Sequence, residues 1–229
     1  MAGQFDGFPR EGMEFLDQLR THNNREWFLA HKDVYERCCR TPMEALAAAL
    51  EPRFGNARIS RINRDMRFSR DGAPYKTYIA AGIGGRYISL SGIGLFVGAG
   101  LYKPEPAMLQ RFRAAIADDS TGRELEAIVS SLRRDGYDVG SHHTLTSAPR
   151  GYTKDHPRIE LLQMKDIFAG RMFAPSARLA TPRARERIER VMSDTGPLVD
   201  WVQRNVTGTI QPGRSRARQR PAARAHSRA

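Results

Sequence analysis

The stretch Lys76-Thr-Tyr-Ile-Ala-Ala-Gly-Ile-Gly-Gly-Arg-Tyr-Ile-Ser-Leu-Ser-Gly-Ile-Gly-Leu-Phe-Val-Gly-Ala-Gly-Leu-Tyr102 decides the fold. Tyr, Ile, Leu, Val and Phe fill it in three runs, parted by Gly84-Gly85 and by Ser91-Gly92. Such runs favour a pleated surface and such pairs favour turns, so strands are expected over 76–84, 86–91 and 93–102. Hairpins in series make an antiparallel sheet. The glycines at 92, 94, 98 and 100 do not form a phosphate-binding loop: position 97 is Val, which breaks the Gly-x-Gly-x-x-Gly spacing, and no Walker lysine follows. They are expected to let strands twist or bulge and a helix sit close.

Helical periodicity surrounds this sheet. Upstream, helices are expected over 10–21, about 25–40 with Asn24 as N-cap, and about 42–53, where Thr41-Pro-Met-Glu44 has a capping-box spacing. Downstream, Lys103-Pro-Glu-Pro106 opens a helix to about 117, and Thr121-Gly-Arg-Glu124 has the spacing to cap one reaching about 134. Short strands are expected at 137–139 and 144–146, and a helix near 157–165. The segment around Ile167–Phe173 is placed to return to the sheet, and helices close the chain over 181–193 and 197–206. The fold class is therefore α+β: a single domain over residues 5–209 with helices packed on an antiparallel sheet, then a disordered Arg-rich tail over 210–229.

Just ahead of the first strand stands Arg58-Ile-Ser-Arg-Ile-Asn-Arg-Asp-Met-Arg-Phe-Ser-Arg-Asp-Gly-Ala-Pro-Tyr-Lys76. Six cations and two carboxylates are interleaved there with Ile59, Ile62, Met66, Phe68 and Tyr75. The apolar positions imply packing against a core, and Asp71-Gly72-Ala73-Pro74 implies a turn. Arg61, Arg64 and Arg67 recur every third residue and share a face if helical, or alternate if extended. Crowded guanidinium groups need carboxylates or a bound anion, and arginine forks fit phosphate and carboxylate. Arg61, Arg64, Arg67 and Lys76 are thus candidate ligand-binding residues, with Asp65 and Asp71 as orienting or proton-transfer candidates. The competing reading is an ion-pair network tying the segment to acidic helices.

A second polar constellation is Pro149-Arg150-Gly151-Tyr152 followed by Asp155-His156. Arg150 is a further ligand candidate and His156 a further catalytic one, provided the fold aims Asp155 and His156 at one pocket. Alternatively, Asp155 caps the following helix. His31 and Lys32 reach the central segment only if their helix lines the same cleft. Asn23, Asn24 and Arg25 are expected to serve a helix junction. His142-His143 lacks ligands at metal spacing, no Gly-x-Ser-x-Gly elbow occurs, and Cys38 and Cys39 have no neighbouring His, so neither a metal site nor a nucleophile is expected.

Four of these stretches together resemble an uncharacterised family, domain of unknown function 2461. They are Arg61 to Thr77; Phe15-Leu-Asp-Gln-Leu with Asn23-Asn-Arg25 and Trp27-Phe-Leu-Ala-His-Lys32; Val97-Gly-Ala-Gly-Leu-Tyr-Lys-Pro104; and Pro149-Arg-Gly-Tyr-Thr-Lys-Asp-His-Pro157. The resemblance spans about 8–205 and brings no established activity with it. One departure is Gly72, where the family usually shows Lys.

The formal net charge is +12 over 229 residues. Six arginines from Arg214 onward, with no acid, carry half of it, leaving 12 − 6 = +6 for the remainder. That tail suits salt-sensitive, sequence-blind attraction to nucleic acid. No apolar run reaches the roughly 18 residues of a membrane span, and no secretory signal opens the chain. Two adjacent cysteines, badly placed to bridge, fit a reducing cytoplasm. The leading expectation is a cytoplasmic protein binding a phosphate- or carboxylate-bearing small molecule, with turnover left open and no cofactor named. The alternatives are nucleic-acid association through the tail and the cationic surface, or a scaffold whose cluster is only an ion-pair network.

Overall fold

The computed structural model describes residues 3–65 and 72–208. Arg67, Asp71 and the expected tail lie outside the described residues.

Three strands form where the glycine-parted runs predict them: β2 (Tyr78–Ile83), β3 (Arg86–Ser91) and β4 (Gly94–Leu101). Two flanking strands, β5 (Asp138–Gly140) and β6 (Ile167–Phe173), also follow the sequence reading. One strand does not: β1 (Ala57–Ile59) overlaps the start of the cationic segment, where no strand was expected. The sheet is antiparallel throughout, in the order β1-β2-β3-β4-β6-β5. Thr144, expected in a strand, makes only a single bridge to Met164.

Alternation along the strands divides the sheet into two unlike faces. Ile79, Ala81, Ile83, Ile88, Leu90, Leu95, Val97, Leu101, Ile167 and Ala169 point one way and are buried in one continuous core. The helices supply its other half. α1 (Arg10–Thr21) buries Met13, Phe15, Leu16 and Leu19. α4 (Thr41–Phe54) adds Met43, Leu46 and Leu50, while α8 (Arg183–Asp194) and α9 (Gly196–Val202) add Ile188, Met192, Leu198 and Trp201. Each such side chain contributes about 1.5–3 kcal/mol when fully buried. At the β3–β4 turn α1 sits so near that a Cβ on Gly92 would lie 2.7 Å from the Asp17 Cβ. Glycine there admits the helix, as expected.

Between α1 and α4 the chain makes α2 (Arg25–Ala30), α3 (Lys32–Tyr35) and a π-helical turn over Glu36–Arg40. The helix expected over 25–40 is therefore broken at His31. Thr41 is no cap, because helical backbone runs straight through Arg40 into α4, and Glu44 instead pairs with Arg40 at 2.8 Å. Cys38 and Cys39 are fully buried in the π turn, Cys38 Sγ facing Glu11 and Cys39 Sγ facing the Gly12 carbonyl. Beyond the sheet, α5 (Pro106–Ala117) and α6 (Asp119–Arg134) pack together. The α6 cap is Asp118, which accepts from the Ser120 and Thr121 amides, rather than Thr121, whose hydroxyl donates to Ala115 O. α7 (Ile159–Gln163) precedes β6. No helix among the described residues is long and apolar enough to cross a membrane.

Candidate anion-binding hairpin

The described parts of the cationic segment, 58–65 and 72–76, pair as the two arms of an irregular β-hairpin. After β1, Ser60 N–H donates to Ala80 O, Asn63 bridges Tyr75, Arg64 N–H donates to Pro74 O, and Lys76 N–H donates to Ile62 O. The pairing runs from Ala57↔Ile83 up to Arg64 and Pro74. Gly72 has φ +67°, a left-handed conformation that glycine adopts freely and that strains a lysine. Glycine thus suits the backbone at this position.

Three contacts fix the hairpin to the helices. The Asn23 side chain donates to Tyr75 O at 2.9 Å and accepts from Tyr75 N–H at 3.0 Å, meeting both backbone groups of one residue. The Tyr75 ring stacks on Phe28 of α2, with centroids 4.1 Å apart. Ile62 is buried in the core. Asn24 caps α2 by accepting from Trp27 N–H, as expected, but Asn23 serves the hairpin rather than the helix junction. No spacing in the sequence links residues 52 positions apart, so that role was not readable.

On this frame Arg61 is exposed, Arg64 half-buried and Asp65 exposed. The Lys76 ammonium donates to Arg61 O at 2.7 Å from across the hairpin. Burial, and then the charge of Arg61, hold the Lys76 pKa below its usual value. The Lys76 ammonium is therefore held against the Arg61 backbone, partly desolvated and within reach of the Arg61 charge. Ser60, at the hairpin root, has a buried hydroxyl with no hydrogen-bond partner among the described residues.

The other polar constellation lies elsewhere. The hairpin rises from one end of β1 and β2, whereas residues 141–166 connect β5 to β6 at the opposite end and opposite edge of the sheet. From strand spacing and rise, the two roots stand about 20 Å apart across the sheet and about 20 Å along it. Arg150 is exposed on a turn closed by Tyr152 N–H to Pro149 O. His156 Nδ1 accepts from Arg158 N–H at 3.0 Å, a local bond in the turn before α7, and neither His156 nor Asp155 caps that helix, whose N-cap residue Arg158 makes no side-chain cap bond. Arg158, which sequence reading passed over, is only 5% exposed. It donates to Ile116 O, Ala117 O and Asp119 and lies 3.7 Å from Glu126, bolting the α5–α6 junction.

His31 stacks on Trp27 with centroids 4.2 Å apart, and its Nδ1–H donates to Trp27 O, so its own helix occupies the ring. His142 pairs with the buried Asp166 at 3.3 Å. Among the described residues no group of three or more His, Cys, Asp or Glu could hold a metal ion.

Neither curated proteins nor solved structures offered a match to the chain. One family does match, over residues 11–201, a span that takes in α1, the hairpin, the whole sheet and α8. The chain belongs to this family, the conserved hypothetical proteins called domain of unknown function 2461.

Proposed function

We propose that the hairpin binds a phosphate- or carboxylate-bearing small molecule. The observation that carries this reading is the Arg61–Lys76 pair: two cationic residues on facing arms, the Lys76 ammonium seated on Arg61 O, with burial first and the Arg61 charge second lowering its pKa. A bound anion would relieve that repulsion, and the pinned backbone reduces the ordering cost of binding. Arg64 extends the same surface and Asp65 would orient it. Arg67 and Asp71 join this proposal by sequence alone. The buried pair of free thiols agrees with work in a reducing cytoplasm.

The test is melting of the full chain and of Arg61→Ala against inorganic phosphate, phosphorylated metabolites and dicarboxylates. A ligand at a hundredfold its dissociation constant adds about 2.7 kcal/mol. For a domain of this size that raises the melting temperature by roughly 5–10 °C. A rise in the wild type that disappears in Arg61→Ala supports the site and justifies a search for turnover. No rise with any anion, together with a lowered melting point for Arg64→Ala alone, replaces it with a structural ion-pair network.

A further inference from the structure

The sheet face turned away from the core has no counterpart in the proposal above. Strand register places Arg58, Gly82, Tyr87, Gly98, Gly170 and Asp138 in one row across it. Ser89, Phe96 and Met172 form the next row, and Gly100 with Phe168 a third. Tyr87 is 41% exposed, Met172 48% and Tyr102 63%. An exposed ring in the middle of the sheet, Tyr87, with another at the end of β4, Tyr102, is unusual on a face with nothing to cover.

The Phe96, Phe168 and Tyr102 rings are held in place by their neighbours. Phe96 lies flat over glycine: a Cβ on Gly170 would stand 2.5 Å from its Cζ, and one on Gly98 2.9 Å. Phe96 meets Phe168 edge-on at 6.5 Å, Phe168 meets His142 at 4.8 Å, and His142 meets Tyr102 at 5.3 Å. His142 is fixed in turn by the buried Asp166. Cations rim the patch. Lys103 lies 5.2 Å from the centroid of the Tyr102 ring, exposed Lys165 stands at the same end just before β6, and exposed Arg58 occupies the far edge. On the strands themselves Asp138 is the one acid that the register puts on this face. The chain as a whole carries +12.

We propose that this face is a stacking platform for single-stranded nucleic acid, with bases on Tyr87, Tyr102 and the Phe96–Phe168 pair and phosphates on Lys103, Lys165 and Arg58. Fixed aromatic rings ringed by cations are what a splayed strand requires, and stacking is tolerant of base identity. A duplex, whose bases are already stacked on each other, gains nothing from the rings. The surface differs from the arginine tail, which attracts any polyanion without regard to strandedness.

The test is fluorescence anisotropy of the full chain with a labelled oligouridylate about twelve nucleotides long, and with a duplex of equal length. Tyr87→Ala and Tyr102→Ala, both at exposed positions and checked for unchanged melting, are each expected to weaken single-strand binding about tenfold. Neither substitution alters the salt dependence, whereas Lys103→Ala lowers its slope by about one. Equal affinity for duplex and single strand, or binding indifferent to both tyrosines, assigns the attraction to the tail and overturns the proposal. So does a self-association, seen in sedimentation, that both substitutions abolish, because the face would then be an interface between copies. Arg61→Ala reports on the hairpin and the tyrosines on the sheet, so failure of one reading leaves the other standing.

Discussion

The hairpin over 57–83 and the turn over 149–158 draw on the same alphabet of arginine, aspartate, proline, glycine and tyrosine, and they use it in opposite ways. In the turn, Arg158 is sunk against α5 and α6, sharing itself among two carbonyls and two carboxylates, and the His156 ring is spent on the Arg158 amide. In the hairpin the fixing to the helices is done by an uncharged residue, Asn23, and by an aromatic stack. A cation that ties its arms, Lys76, binds the Arg61 carbonyl, which leaves the Arg61 side chain at the surface. A cation that holds the fold together is unavailable to a ligand. One whose backbone is held by something else remains available.

The largest effect should come from Arg158→Ala, which strips the buried carbonyls at the end of α5 of their donor. Each buried acceptor left unmet costs about 1–3 kcal/mol, so a total on the order of 3 kcal/mol is expected from chemical denaturation. A loss under about 1 kcal/mol would deny the turn its structural role. Asn23→Ala comes next, at about 2 kcal/mol, since both backbone groups of Tyr75 lose their partner. If the hairpin is a site, this variant also loses the anion-induced rise in melting temperature. Retention of that rise would mean that the frame does not position the cations.

His156→Ala should cost about 1 kcal/mol, the usual worth of the one hydrogen bond its ring accepts from Arg158 N–H. A larger loss of activity than of stability, once an activity is found, would reopen its catalytic candidacy. The Lys76 titration comes after these. Its pKa is depressed in the folded chain, by burial first and by Arg61 second. The unfolded chain therefore binds this proton more firmly, and the linked stability rises as pH climbs through the folded pKa toward the ordinary lysine value. NMR titration should show the depression lessened in Arg61→Ala and reversed by a bound anion; a Lys76 titration unchanged by either would separate the two cations. Arg150→Ala should be nearly silent, within about 0.5 kcal/mol.

What the sequence disclosed follows from the range of the interactions involved. The α1 boundaries and the β2–β3–β4 meander rest on local periodicity and glycine turns, and they were legible. The π turn at Glu36–Arg40 was not, because helical periodicity reads alike through a bulge and a straight helix. β1 escaped because charges every third residue mask its short alternation of Ala57 and Ile59 inward with Arg58 outward. The division of polar residues between a cationic hairpin and a structural turn was invisible for a different reason. Asn23 with Tyr75, and Arg158 with Ile116, are pairs that only the tertiary fold creates. The aromatic face was readable in part, since Tyr87 and Phe96 alternate with core residues; which side of the strands stays open depends on where the helices land.

The two cysteines have a practical consequence. Burial first, then Glu11, pushes the Cys38 thiol up to about 11, and burial pushes Cys39 higher still. Neither will supply thiolate to an alkylating dye at neutral pH. The native chain is thus expected to react slowly with maleimide without any substitution. A single cysteine introduced at Arg61 or at Tyr102 would be its sole reactive thiol, so a fluorophore could watch either the hairpin or the sheet face in an otherwise unaltered protein.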